Sequence, residues 1–329
     1  MKATPVACAL FPALLLARRR AQAFSALVLG ALLLALSGCG KPERRTISDR
    51  AGETATVPAH IERIVSTAPS NTEIIVDLGL ADKLVAVDRY SRGIPGVRHD
   101  LPQVDFFYPD GEALISLRPD LIIVNGHNRT GAGGDPFALL REAGIAVANV
   151  PFSRSISAIY EDIAFIAELL GVPERGAELV RRMKEQVDEV RATSAAIAER
   201  RTVCFEISPA PDITTFGQGT FLNDMLEAAG AINLFGDQSG IIFPGAELLV
   251  ERNPDVIVTN VSAIPDPVAE IKRRPGFDTI SAVKNGRVYQ VDTDSSSRPS
   301  HRIILALRQI ARAVYPEQYA ADPEWNAAR

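Results

Sequence analysis

Residues able to recognise a ligand fall in short clusters along this sequence. In the first half they are Asn71 and Thr72, Arg89-Tyr90-Ser91-Arg92, Phe106-Phe107-Tyr108 and His127-Asn128-Arg129. In the second half they are Ser208, Thr214-Thr215-Phe216, Ile242-Phe243 and the run 294–301, which holds Arg298 and His301. The aromatic rings can stack on a planar ligand. Three aromatics in a row cannot share one face of an extended chain, so at least one of Phe106, Phe107 and Tyr108 should leave the core. Arg89, Arg92, Arg129 and Arg298 suit anionic groups, because a guanidinium presents its donors in a planar fork. His127 and His301 could ligate a metal centre. A bare zinc or manganese site, however, gathers several histidines and carboxylates, and this chain has 4 histidines in all. Each cluster also has a plainer reading: Asn71 and Thr72 as helix caps, the arginines as solvated loop cations, the histidines as loop and helix-start residues, alternate aromatics as core.

The scaffold that must position these clusters is legible in the periodicity. Short β-branched runs at 63–66, 84–87, 121–124 and 147–150 alternate with helical patterns at 70–79, 111–117 and 135–143. A second series follows, with strands at 203–207, 256–259 and 288–291 and helices at 220–229, 245–252, 268–273 and 300–314. Strands separated by helices imply parallel sheets with crossovers. Most of the clusters fall at strand exits, where open α/β sheets bind ligands. Between the two series a helix is expected at 155–170 and a longer one at 173–200. Pro173 suits a first-turn position. Val180, Met183, Val187, Val190, Ser194 and Ile197 step by three and four along one helical face. A helix of about 27 residues spans roughly 40 Å, enough to cross between two lobes.

The two halves repeat each other. Glu112, Leu114, Pro119, Asp120, Ile122 and Asn125 recur as Glu247, Leu249, Pro254, Asp255, Ile257 and Asn260, at a constant offset of 135 residues. Each copy reads as a short helix, a Pro-Asp turn, a buried strand and a polar exit.

The ends are of a different kind. Arg18-Arg19-Arg20 precede an apolar run, 21–36, broken only by Gln22, Ser25 and Gly30, and then Leu36-Ser37-Gly38-Cys39. A charged start, a short apolar stretch and small residues before a cysteine describe a secretory signal ending in a bacterial lipobox, so residues 1–38 should be removed and Cys39 lipidated. Residues 39–60 read as a polar tether with one early strand. The expected organisation is then a first lobe at 61–172, a connecting helix at 173–200 and a second lobe at 201–329 with a polar tail. A net charge of −5 argues against a nucleic-acid partner. After Cys39 only Cys204 remains, inside an apolar run, which leaves no disulfide framework.

The stretches around Pro69-Ser70-Asn71-Thr72-Glu73, 112–124, 247–258 and 300–307, together with the lipobox, resemble the helical-backbone (class III) solute-binding lipoproteins of ABC importers, in the iron-siderophore and cobalamin group. The resemblance covers about 57–317. It implies an α/β fold of two Rossmann-like lobes joined by one rigid helix, with a ligand cleft between them. It also implies capture of a metal chelate (ferric siderophore, haem or corrinoid) and delivery to a permease dimer with its ATPase. No intrinsic cofactor and no catalysis are implied. One docking glutamate per lobe meets arginines of the permease, and Glu112 and Glu247 occupy the matching positions. A carboxylate in the first turn of a helix is favoured by the helix dipole. The core lacks tryptophan, unlike cobalamin binders of the group. Two other classes stay open: a metal-dependent or redox enzyme on a related bilobal scaffold, and a receptor that docks to a sensor.

Overall fold

The computed structural model describes residues 43–129, 135 and 137–319. Cys39, the run Gly131-Ala132-Gly133-Gly134 and Trp325 lie outside them. Strands β1 (Arg44–Ser48) and β2 (Thr54–Pro58) fall in the segment expected as a tether with one strand, so regular structure begins earlier than the composition implied. Residues 43–45 and 58–60 form a small unit of their own, and 46–57 with 61–319 form the other.

That second unit holds two sheets. The first is built from β3 (Ile64–Ser66), α1 (Pro69–Asp77), β4 (Leu84–Asp88), β5 (Gln103–Val104), α2 (Gly111–Ser116), β6 (Leu121–Asn125), α3 (Ala138–Glu142) and β7 (Ala146–Val150). Its strands are all parallel, in the order β5-β4-β3-β6-β7. Helices α4 (Ile156–Leu169) and α5 (Pro173–Ala195) follow. Next come β8 (Thr202–Glu206), β9 (Thr215–Phe216), α6 (Phe221–Ala228), β10 (Ile232–Asn233), β11 (Ile241–Ile242), α7 (Ala246–Arg252) and β12 (Val256–Thr259). The chain ends with α8 (Pro267–Arg273), α9 (Ser281–Lys284), β13 (Val288–Gln290), α10 (Thr293–Ser297) and α11 (Ile303–Val314). The second sheet is parallel in the order β10-β8-β12-β13, while β9 and β11 form a separate antiparallel pair.

Both sheets are wound alike. Each starts in the middle, runs to one edge, then crosses back to fill the other side. The reversal falls between β3 and β6 in the first lobe and between β8 and β12 in the second, and ligand crevices form beyond the strand ends at such points. All five residues of β6 and all four of β12 are buried, as expected of parallel strands covered on both faces. Cys204 on β8 is fully buried, and burial pushes its thiol up to about 12, so it stays a neutral core side chain.

The internal repeat extends to the backbone. The described non-glycine residues with positive φ are Arg118 (48°) and Asn253 (44°), which are equivalent under the 135-residue offset. Each precedes the Pro-Asp turn, and a non-glycine residue there is costly enough to be a specific requirement. The following aspartates repeat one job. Asp120 Oδ2 accepts from the backbone N–H groups of Glu62 and Arg63 at 2.8 and 2.9 Å. Asp255 Oδ2 accepts from the N–H and hydroxyl of Thr202 at 2.9 and 2.8 Å. Each carboxylate ties the entry of its strand to the entry of the neighbouring central strand.

Helix α5 packs against α4, α11 and α6. Its buried stripe is Gly176, Leu179, Met183, Val187, Val190 and Ser194, passing through Leu179 where the periodicity favoured Val180. A Cβ on Gly176 would overlap that of Ala167, so glycine lets α4 and α5 touch. The helix ends at Ala195 although nothing in 196–200 signals a stop. Its last turn tightens, with Ala196 N–H bonding Thr193 O at 3.3 Å and Ile197 N–H bonding Ser194 O at 3.1 Å, to redirect the chain into β8.

Candidate functional site

A cavity of about 870 Å³ opens beyond the carboxyl ends of both sheets. From the first lobe it is lined by His127, just past β6, and by Phe152, Ser153 and Arg154, just past β7. From the second it is lined by Ile207 past β8, by Gln218 to Leu222 leading into α6, by Ser239 to Ile241, and by Asn260, Ser296 and Ser297. The apolar contribution comes from Phe152, Ile207, Phe221, Leu222 and Ile241. Ligand sites of this size are usually mostly apolar with a few fixed polar groups.

The equivalent asparagines at the two strand exits organise the two walls. Asn125 Oδ1 accepts the His127 N–H at 2.8 Å and so sets the turn that carries the imidazole. Asn260 Nδ2 donates to Ser296 Oγ at 2.9 Å and Ser297 Oγ at 3.1 Å, fixing the hydroxyls of the opposite wall.

The first-lobe wall is aromatic. His127 meets Phe152 edge-to-face with centroids 4.3 Å apart, and Phe106 at 5.1 Å. Phe106 contacts Phe107 at 4.9 Å and Tyr90 at 5.5 Å, both edge-to-face. Such pairs contribute about 0.5–1.5 kcal/mol each beyond their buried area, so the wall is stiff before any ligand arrives. Gly126 permits the closest approach, since a Cβ there would lie 2.8 Å from Phe152 Cδ2. Burial lowers the pKa of His127, which keeps the imidazole neutral, the form that ligates metals.

Polar ties cross between the lobes and converge on Glu73. Arg298 Nη1 donates to Glu73 Oε1 at 3.0 Å, and Ser300 Oγ donates to Glu73 Oε2. Glu73 lies on α1, and its side chain is 1% exposed. Burial raises its pKa, while Ser300 and Arg298 oppose that rise. Elsewhere Asp224 Oδ2, on α6, accepts the N–H of Ile156 at 3.0 Å and satisfies one of the orphan donors at the start of α4.

The sequence profile of the periplasmic binding protein family matches residues 64–295. The chain belongs to that family. It is 34% identical to the uncharacterized ABC transporter substrate-binding lipoprotein YvrC of Bacillus subtilis (strain 168), over 92% of this chain and 99% of that one. It is 29% identical to the vitamin B12-binding protein of Vibrio cholerae O1 (strain ATCC 39541 / Classical Ogawa 395 / O395), over 77% of this chain and 89% of that one. Among solved structures, a possible iron-binding (periplasmic solute-binding) protein of Staphylococcus epidermidis ATCC 12228 is 34% identical with a TM-score of 0.70, covering 78% of this chain and 99% of that one. The two parallel sheets and the long helix are the architecture of such bilobal proteins.

In this periplasmic binding protein the clusters expected at the cleft separate into several groups. His127 lines the cavity, whereas Tyr90, Phe106 and Phe107 do not: Phe106 packs behind His127 and holds Phe107 and Tyr90 edge-on. Phe106 is buried, whereas Phe107 and Tyr108 leave the core as their succession required. Arg89 stacks over the Tyr90 ring at 4.7 Å and donates to the Tyr90 hydroxyl at 2.7 Å. Arg92 is exposed, and Arg129 ends the turn Gly126–Arg129.

Five expected contacts face inward instead. Asn128 is fully buried and structural, accepting from Asn125 N–H at 2.8 Å and from Thr67 Oγ1, and donating to Phe106 O. Phe216 is fully buried against Phe205 at 5.4 Å. Asn71 is buried inside α1, whose N-cap is Ala68 without a side-chain cap. Arg298 is committed to Glu73, to Tyr90 O and to Asp294, so it is not available as a ligand cation. His301 is mostly buried beside Asp77, 3.9 Å away, and burial lowers its pKa. Tyr108 and Phe243 are exposed but do not line the cavity.

The lining also includes residues outside the expected clusters. Phe152, Ser153 and Arg154 sit at the exit of β7. Asn260 was visible only as the echo of Asn125, and Ser296 and Ser297 lay within the run 294–301. Glu112 and Glu247 are exposed in the first turns of α2 and α7.

Proposed function

We propose that this chain is the substrate-binding lipoprotein of an ABC importer, anchored through Cys39, which takes a large and mostly uncharged metal chelate into its interlobe cavity and hands it to a permease dimer. The observation that supports the ligand class is the edge-to-face pair His127–Phe152, with Phe106 behind His127, facing a second wall of serine, glutamine and asparagine. A planar macrocycle stacks on the first and offers amide or carboxyl edges to the second. Among the described residues Arg154 is the one cation lining the cavity. A strongly anionic ferric tricatecholate wants several, and Arg298 is already used. A corrinoid fits this balance and agrees with the binding named for the Vibrio cholerae relative. Haem is the second reading, favoured by the neutral imidazole of His127 in the wall.

The protein binds and releases without chemistry of its own and carries no resident cofactor. Glu112 and Glu247 are its docking carboxylates. Titration of the mature domain with cyanocobalamin, haemin and ferric chelates, followed by calorimetry and absorbance, tests the reading. Binding of cyanocobalamin or haemin is expected, and tight binding of ferric catecholate alone would sink it.

A further inference from the structure

Tyr108 and Phe243 are the most exposed large hydrophobic side chains among the described residues, both 73% exposed. They are also equivalent under the 135-residue repeat. Tyr108-Pro109 stands four residues before Glu112, and Phe243-Pro244 stands four residues before Glu247. In both copies the proline is buried and the glutamate exposed. The residues around them have diverged: Asp110-Gly111 answers Gly245-Ala246, and Ser116-Leu117 answers Glu251-Arg252. A single exposed ring on a surface is ordinary. The same exposed ring in the same place on both lobes, where neighbouring positions have drifted, is not.

The backbone that presents each ring is tied down. Asp105 Oδ1 accepts the N–H groups of Phe107 and Tyr108, each at 2.8 Å, and so fixes the turn that presents Tyr108. Phe243 follows β11, whose Ile242 pairs with Thr215 of β9. Neither ring lines the cavity.

We infer that Tyr108 and Phe243 are the apolar half of a duplicated docking element, each lobe offering one aromatic and one carboxylate to one of two like pockets on the permease dimer. This rests on the permease docking proposed above. The carboxylate steers the encounter and sets orientation. The ring, rigid and amphipathic, supplies the contact that outlasts it, since aromatic anchors dominate interface energies. The matching chemistry is an apolar socket beside a cation, presented twice. A partner that is itself twofold presents such sockets, and a ligand in the cleft does not.

The test uses the mature lipoprotein and its permease–ATPase complex in nanodiscs. Tyr108→Ser and Phe243→Ser should each weaken docking about tenfold, and the double variant about a hundredfold, because the two sites are on different lobes and their costs add. The exchange Tyr108→Phe with Phe243→Tyr should dock as the parent does. Cyanocobalamin affinity and melting temperature should not move in any of them. Parent-like docking by the double variant overturns the inference, as does a loss of cyanocobalamin affinity with docking intact, which would return the rings to the cleft. Failure of the parent itself to dock overturns both this inference and the permease reading. Failure to bind any chelate with docking intact overturns the ligand reading alone.

Discussion

Removing the guanidinium of Arg298 isolates the energetics of the tie between the lobes. Glu73 is 1% exposed, and among the described residues Arg298 and Ser300 are the side chains that donate to its carboxylate. In Arg298→Met the carboxylate stays buried with one hydroxyl donor. Breaking a buried pair from one side costs about 3–5 kcal/mol, most of it from the stranded charge. At about 2–3 °C per kcal/mol for a chain of this size, the melting temperature at pH 7.5 should fall by roughly 6–15 °C. Glu73→Gln should cost less, about 1–2 kcal/mol, because Arg298 keeps Asp294 and the Tyr90 carbonyl. The double variant should recover most of the single loss.

The pH dependence follows from the direction of the shift. Burial already raises the Glu73 pKa, and without Arg298 it rises further. A carboxyl whose folded pKa lies above its unfolded value stabilises fully below the unfolded value and loses that contribution as pH rises through the folded one. The deficit of Arg298→Met should therefore shrink between pH 7.5 and pH 4.5. Thermal and urea melts at both pH values measure it. A parent-like melt at pH 7.5, a deficit that ignores pH, or a double variant as weak as the single would refute the argument.

Gly126→Ala would place a Cβ 2.8 and 2.9 Å from carbons of the Phe152 ring and force it away from His127. Calorimetry with cyanocobalamin should show about tenfold weaker binding, an order of magnitude for one displaced aromatic contact. His127 and His301 both have pKa values lowered by burial. Their contribution is complete above the unfolded value, about 6.5, and is lost as pH falls through the lower folded values. Melting temperature should drop between pH 7.5 and 5.5, and drop less in His127→Gln/His301→Gln. Cys39→Ala should move the protein from the membrane to the soluble fraction with ligand affinity unchanged, as fractionation and titration would show.

Element types were readable because parallel strands announce themselves as continuous apolar runs, such as Leu121–Asn125 and Val256–Thr259. The duplication was readable because Pro-Asp and its flanks recur in register. Boundaries were less so. The helix expected from residue 300 begins at Ile303, because Ser300 is drawn to Glu73, a partner 227 residues away. The cleft was the hardest part. Position beyond a strand end locates a residue within a few ångströms of a site, but the direction of its side chain depends on distant groups. Asn128 turns inward to serve Thr67 and Phe106, and Arg298 turns to Glu73. Nothing local distinguishes them from His127, which lines the cavity.

Helix α5 is a beam of 23 residues braced on α4, α11 and α6. With the lobes fixed to one beam, little binding free energy goes into closing the cleft, and the cargo meets a mould already cast. The burden then shifts to unloading. A stiff mould stores no recoil, so in isolation the cargo departs only as fast as its own contacts fail. The escape rate measured by stopped-flow on the free receptor should lie well below the turnover of the assembled importer, because docking and ATP hydrolysis on the far side of the membrane must lower the barrier to release.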